Sequence, residues 1–331
     1  MLKPKVSVVI INFNSGKYIF KCLEHVRAQT YPNIEVMVVD NVSTDGSSEK
    51  LKEMALSNEI LYHRAASNGG SSKANNYGIR HTSGEYVLIL NADAFLNPEH
   101  IERSVAAFLS DPEIGTVVGK LVSSHDNSFI DSTGVLLFRE GIALDRGQRE
   151  KDVGQYDRPM FMAAACCAAA LYSRRMLEAV RLGDEYYDED FFAFYEDVDL
   201  SVRALLLGWK TLYTPDAVAQ HVRGASNEQG SRMGNLLGRK NLRLFYFKTF
   251  EHGDWLGAAL RQLLYFGWRF AATGALEREF REEIATGLAK VRESYLEKRR
   301  RLILSANYDR LRPFCSESYI FRRLKSVMGH S

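Results

Sequence analysis

At 331 residues, 46% of them hydrophobic, the chain is long enough to bury a full α/β core and carry an appendage. The formal net charge of +2 hides an asymmetry: 19 of the 43 Lys and Arg but only 10 of the 41 Asp and Glu lie from Arg239 onward, leaving +9 there and −7 in the rest. Cys22, Cys166, Cys167 and Cys315 form no CxxC pattern, which excludes a secreted disulfide framework, and no stretch reaches the roughly 18 uncharged apolar residues of a membrane span.

Met1 to Lys5 runs straight into an apolar segment, so no signal peptide is expected. Val6 to Ile11 reads as a first buried strand ending in Asn12-Phe13-Asn14, and Ser15-Gly16 turns into a helix with Tyr18, Cys22, Leu23 and Val26 on one face. A second strand, Ile34 to Val39, ends in Asp40 and is followed by a small, polar run and a helix through Met54. This alternation predicts a parallel sheet wound by right-handed crossovers. The first turn lacks GxGxxG, so a nicotinamide-binding dehydrogenase is not expected.

Asp40 reads equally as a ligand for a nucleobase or ribose and as a cap for the next helix. Asn68-Gly69-Gly70 opens a helix through Lys73, Asn76 and Gly78; its glycines allow close backbone approach, and Lys73 suits a phosphate. Tyr86 to Leu90 is an unbroken apolar run with the length of a strand covered on both faces, and it delivers Asn91-Ala92-Asp93 at its carboxyl end. Open α/β sheets bind ligands there, although a lone strand-end Asp93 reads more readily as a cap.

Asn97-Pro98 leads into a helix through Leu109, then a strand near Thr116 to Val122; polar, glycine-bearing loops are expected over about 123 to 158. The run Ala163 to Ala170, broken by Cys166-Cys167, suits close packing. Asp188 to Leu200 interleaves acids with aromatics, which need burial and so draw carboxylates to a cavity wall. Trp209 to Tyr213 reads as a strand ended by Pro215, with His221 beyond it; a lone histidine is usually structural.

Taken in order, these segments resemble the family 2 inverting glycosyltransferases with a GT-A fold over roughly residues 5 to 245. The resemblance implies an α/β fold of GT-A type, a Rossmann-like, mostly parallel sheet flanked by helices. It implies donor contacts from Asn12, Asn14, Asp40, Asn68, Gly69, Lys73, Asn76, Asn91 and Ala92. Asp93 matches the last acid of the family's DxD motif and, with His221, would hold Mg²⁺ or Mn²⁺; Asp197 in the Glu196-Asp197 pair would be the general base, with Glu196 beside it. Asp199, Arg239 and Lys240 are assigned to the acceptor or phosphate side. The first DxD position is Asn91, one anionic ligand fewer than the motif prescribes. The implied partners are a nucleoside-diphosphate sugar and a glycan or polyprenyl-diphosphate-linked acceptor, with rhamnosyltransferases the nearest pattern. The competing expectation is a catalytically idle sugar-nucleotide-binding scaffold.

A catalytic domain is expected over 1–245, and a basic, amphipathic helical C-terminal extension over 246–331. Within the latter, Trp255 to Ala272 reads equally as an interfacial helix and as a helix packed on the catalytic domain, while Lys298 to Arg301 and Arg322 to Lys325 are basic clusters suited to anionic lipid. The expected location is the cytoplasm, peripheral on the inner face of the membrane. No recognised nucleic-acid module accompanies the basic runs, so no nucleic-acid partner is expected.

Overall fold

The computed structural model describes residues 3–223, 232–249, 280–298, 307–315, 317–319 and 322. Its first half alternates strand and helix: β1 (Val6–Asn12), α1 (Ile19–Arg27), β2 (Ile34–Asp40), α2 (Ser47–Leu56), β3 (Leu61–Arg64), α3 (Gly70–Arg80) and β4 (Tyr86–Asn91). There follow β5 (Ala94–Leu96), α4 (His100–Phe108), β6 (Ile114–Ser123), β7 (Ile130–Ser132), β8 (Val135–Leu137), β9 (Ala143–Asp145), β10 (Met160–Met162) and β11 (Ala169–Ser173). The last elements are α5 (Arg174–Ala179), α6 (Glu196–Leu206), β12 (Lys210–His221), α7 (Arg232–Thr249) and a helix over 280–298, here α8.

The sheet runs β3-β2-β1-β4-β11-β6-β12-β10. The first four strands are parallel, β11 is antiparallel to both its neighbours, and β12 is parallel to β6. The apolar runs are two-sided for a simple reason: successive side chains on a strand point to opposite faces. Val8, Ile10, Leu88 and Leu90 pack with Cys22 and Val26 of α1 and Ile101 of α4. Val9, Val87 and Ile89 face the other way, against Ala74 of α3, Met176 of α5 and Leu200 of α6. Truncating one such residue, as in Ile10→Ala, would cost about 2–5 kcal/mol through lost transfer energy and the cavity left behind.

Two expectations change. The stretch from 123 to 158 is not simply loop, because β7 pairs with β6 and β8 with β9, building a small wall beside the end of β12. Nor does Pro215 end the last strand. β12 continues to His221 through a register shift between Tyr213 and Val218, the kind of irregularity where a sheet tolerates a proline. The displaced backbone brings Ala217 O against Gly119, where a Cβ would lie only 1.9 Å away, so β6 needs glycine at that point.

The edge strand β3 gave no apolar signal, having four residues with Leu61 exposed. α7 runs through residue 245 and packs Leu244 and Phe245 on Val198, Val202 and Leu205 of α6, while Leu288 and Val291 of α8 join the same cluster. The described helical part of the C-terminal region therefore packs on α6. The segment 255–272 and most of the basic runs lie outside the described residues, and among the described residues no helix is long and apolar enough to cross a membrane.

Candidate active site

The carboxyl ends of β1, β4 and β12 meet at one cleft. Its centre is set by strand register: Ala94 of β5 sits opposite His221 of β12, and the Val222 amide donates to Asp93 O at 3.1 Å, so residues 128 positions apart become neighbours. His221 Nε2 lies 3.3 Å from Asp93 Oδ1 and 3.5 Å from Asn91 Nδ2. Its Nδ1 lies 2.9 Å from Asp131 Oδ2. Arg223 then donates Nε to Asp131 at 2.6 Å and Nη2 to Asp145 at 2.7 Å.

Burial would lower the His221 pKa, but the two flanking carboxylates win and raise it to about 9. Burial would raise Asp131, yet bonds from His221 and Arg223 pull it below the usual carboxylate range. Asp131, Asp145 and Arg223 were not singled out in the sequence. The two acids sit in short strands without an apolar run to announce them, and only the nearness of Arg223 to His221 offered a signal.

Across the cleft, Asp197 occupies the first turn of α6. Burial raises its pKa to about 6, opposed by amide bonds from Cys167 at 3.3 Å and Val198 at 2.8 Å. The segment before it is held in left-handed backbone, with φ of 67° at Phe192, 68° at Phe194 and 70° at Tyr195. Such strain persists only where surrounding structure imposes it. Here Asn241 Nδ2 of α7 reaches the carbonyls of Phe191, Ala193 and Phe194 at 2.8, 2.7 and 2.8 Å. From the other side the Ser72 amide at the start of α3 donates to Phe192 O at 3.1 Å. Gly70 permits this approach, because it has φ +78° and a Cβ there would lie 2.2 Å from Phe192 O.

Two adjoining cavities share this centre. One, of about 390 Å³, is lined by Asn91, Asp93, Glu196, Asp197, His221 and Arg223 among others. The second, about 140 Å³, is lined by Phe13, Ser15, Asn41, Asn68, Ala92 and Asp93 among others. Glu196 lines the first beside Asp197 and accepts from Ser71 Oγ.

Several expected contacts are placed elsewhere. Asp40 is fully buried, its carboxylate taken by Asn12 Nδ2, the Ser43 amide, Ser48 and Arg64; Asn12, also fully buried, holds Asp40 and Ser47. Both shape the loop between β2 and α2 from beneath. Asn14 is exposed and braces Thr44, while Gly69 and Lys73 line neither cavity. Asn76 is fully buried and uses its amide on the backbone of Tyr186 and Tyr187, which makes it a brace for the segment before Asp197.

Asp199 is the clearest correction. It is 1% exposed, on a face of α6 away from the cleft, paired with Arg203 at 2.8 Å and Lys248 at 2.6 Å. Arg239 is buried over the Phe280 ring, and Lys240 donates to Asp190 O at 2.9 Å; neither lines the cleft.

Among the described residues no group of three or more His, Cys, Asp or Glu side chains converges as a metal cluster. The Asp93–His221 pair can nonetheless ligate a divalent cation that completes its shell with phosphate oxygens and water, provided the cation displaces the proton that the two carboxylates hold on His221. A carboxylate behind the far ring nitrogen, as Asp131 stands, is the usual means of orienting a ligating imidazole.

A mostly parallel sheet with an acidic turn at the end of its central strand and a second carboxylate across the cleft is the GT-A architecture of glycosyltransferases. The mannosyltransferase PcManGT from Pyrobaculum calidifontis, solved in complex with GDP-Man and Mn2+, shares this fold at a TM-score of 0.55 and 19% identity, over 92% of this chain and 86% of that one. Residues 7–181 match the family described as glycosyl transferase family 2, and the chain belongs to that family.

Among curated relatives, glycosyltransferase GlyA of Streptococcus pneumoniae serotype 4 is 27% identical over 225 residues, covering 64% of this chain and 30% of that protein. An N-acetylglucosaminyltransferase of Bradyrhizobium diazoefficiens is 29% identical over 235 residues, 66% of this chain and 45% of that protein. The chain thus spans less than half the length of either relative.

Proposed function

We propose that this chain is an inverting sugar transferase acting by a single displacement. Its donor is a nucleoside-diphosphate sugar, with L-rhamnose the sugar suggested by the sequence pattern, and its acceptor is a lipid-linked or surface glycan. The observation that carries this reading is the convergence of Asp93, His221 and Asp197 on one 390 Å³ cavity.

In this reading Asp93 and His221 hold Mg²⁺ or Mn²⁺, which when bound supplies positive charge to the diphosphate as negative charge develops on it. Asn68, Asn91 and Ala92 line the donor side, and Phe13 is added to the expected set. Asp197 accepts the proton of the acceptor hydroxyl. The acceptor oxygen bonds to the anomeric carbon as the anomeric carbon–phosphate oxygen bond breaks, and the nucleoside diphosphate departs with the electron pair. A carboxylate raised to about 6 is basic enough for this and still ionised at neutral pH.

Residues 1–245 would constitute the catalytic unit, and 246–331 a basic extension that brings it to the inner face of a membrane. Thermal-shift measurement with a panel of nucleotide sugars, with and without Mn²⁺, followed by donor hydrolysis, tests the reading. A metal-dependent shift and turnover lost in Asp197→Asn support it; no shift with any donor, or turnover unchanged in that variant, overturns it.

A further inference from the structure

A third cavity, of about 890 Å³, opens on the far side of His221 and is not used by the chemistry above. It shares Ala143, Leu144, Asp145, His221 and Arg223 with the reaction cavity, so the two lie on either side of one wall. Resting on the transferase reading, we propose that it is a saccharide-binding subsite that takes the second sugar unit of an oligosaccharide acceptor, making the enzyme one that elongates an existing glycan.

The lining has the mixed character that a pyranose requires. Phe129 and Leu144 are each 39% exposed and offer a ledge for the C–H face of a sugar ring. Around them stand His125, Gln148 and Arg149. Among the described residues the Gln148 amide and the Arg149 guanidinium make no hydrogen bond or ion pair, leaving their donors and acceptor available for hydroxyl groups. The carboxylates in the cavity are already neutralised, Asp131 by His221 and Arg223 and Asp145 by Arg223.

The ledge is rigid. Phe129 bridges to Lys151 across the turn, and Arg149 donates its amide to Ile130 O at 2.9 Å. Arg149 is also held in left-handed backbone at φ 65°, and Arg223 at φ 57°. Non-glycine residues in that region are costly and gather where function retains them. The volume lies near the upper end of the range of about 300–1,000 Å³ typical of ligand pockets, enough for a sugar unit beyond the one at the reaction centre.

The test is a printed array of oligosaccharides of one to six units, probed with the full chain and with Phe129→Ala and Gln148→Ala. Nucleotide thermal shift is read in parallel on all three proteins. The expected result is binding to glycans of two or more units, weakened at least tenfold in each variant that folds, with the nucleotide shift unchanged. Gln148 lies in a turn and its variant decides the matter where Phe129→Ala unfolds. No array binding, equal binding to single sugars, or binding undiminished in Gln148→Ala overturns the proposal. A wild-type protein with no nucleotide shift would instead remove the transferase reading itself, a separate outcome.

Discussion

Asn241 Nδ2 lies 2.8 Å from the carbonyl of Phe194, joining a helix that follows the last strand to the strained segment just before Asp197. The same amide reaches Phe191 and Ala193, so one side chain from outside the matched family region holds the backbone that leads into the proposed base, Asp197.

Replacing Asn241 with Ala therefore takes a donor from three carbonyls, two of them buried, and lets the segment relax. Misplacing a reacting group by about 1 Å can cost on the order of 10²-fold in rate. The expected outcome for Asn241→Ala is a fall in kcat of roughly that size with nucleotide affinity retained, read by steady-state kinetics beside a nucleotide thermal shift. A kcat near wild type would mean that the segment holds its shape without the clamp.

The pH profile follows from the Asp197 carboxyl, whose pKa burial raises to about 6. A general base works only when ionised, so kcat is expected to be level at neutral pH and to fall on the acid side of about pH 6. Asp197→Asn should remove this limb and lose about 10² to 10⁴ in rate. A profile with no acid limb between pH 5 and 8 would transfer the role to another group.

Asp131 holds His221 Nδ1 and Arg223 together. Loss of an outer carboxylate of this kind typically costs about 10 to 100-fold in metal affinity. Asp131→Asn is expected to weaken Mn²⁺ binding within that range while Asp197-dependent titration is unaltered, measured by electron paramagnetic resonance of free Mn²⁺. Equal affinity in the variant would separate Asp131 from the proposed metal site.

The buried cluster on the other face of α6 is a matter of stability. Lys248 is fully buried between Asp188, at 2.7 Å, and Asp199, at 2.6 Å. Lys248→Met removes the cation that the two carboxylates share, leaving Asp188 with Lys298 and Asp199 with Arg203, and should cost about 3 kcal/mol, the low end for a broken buried pair, read by denaturant unfolding. Burial alone would raise the Asp188 pKa, but Lys248 and Lys298 hold it well below the usual carboxylate range. Because the folded pKa lies below the unfolded one, this contribution is present above about pH 4 and is lost as pH falls below it. A wild-type protein whose stability stays level from pH 5 to 3 would contradict the assignment.

Much of the architecture was legible without coordinates. The runs Val6 to Ile11, Ile34 to Val39 and Tyr86 to Leu90 each bury both faces, and hydrophobic patterning records such burial directly. Asp93, Asp197 and His221 were marked by the family resemblance rather than by their local pattern, and the fold brings all three to one cavity. What the pattern could not hold is which polar atoms find one another across the fold. Asp40, Asn76 and Asp199 looked available for a ligand, but the fold spends them on its own backbone and on Arg203 and Lys248. Asp131 and Asn241 were not marked as site residues, and Arg223 was marked only by its nearness to His221, yet all three hold the site's residues in place. Periodicity is a property of neighbours along the chain, whereas a hydrogen bond between positions 48 or 90 residues apart depends on strand register and helix packing, which only the assembled sheet decides.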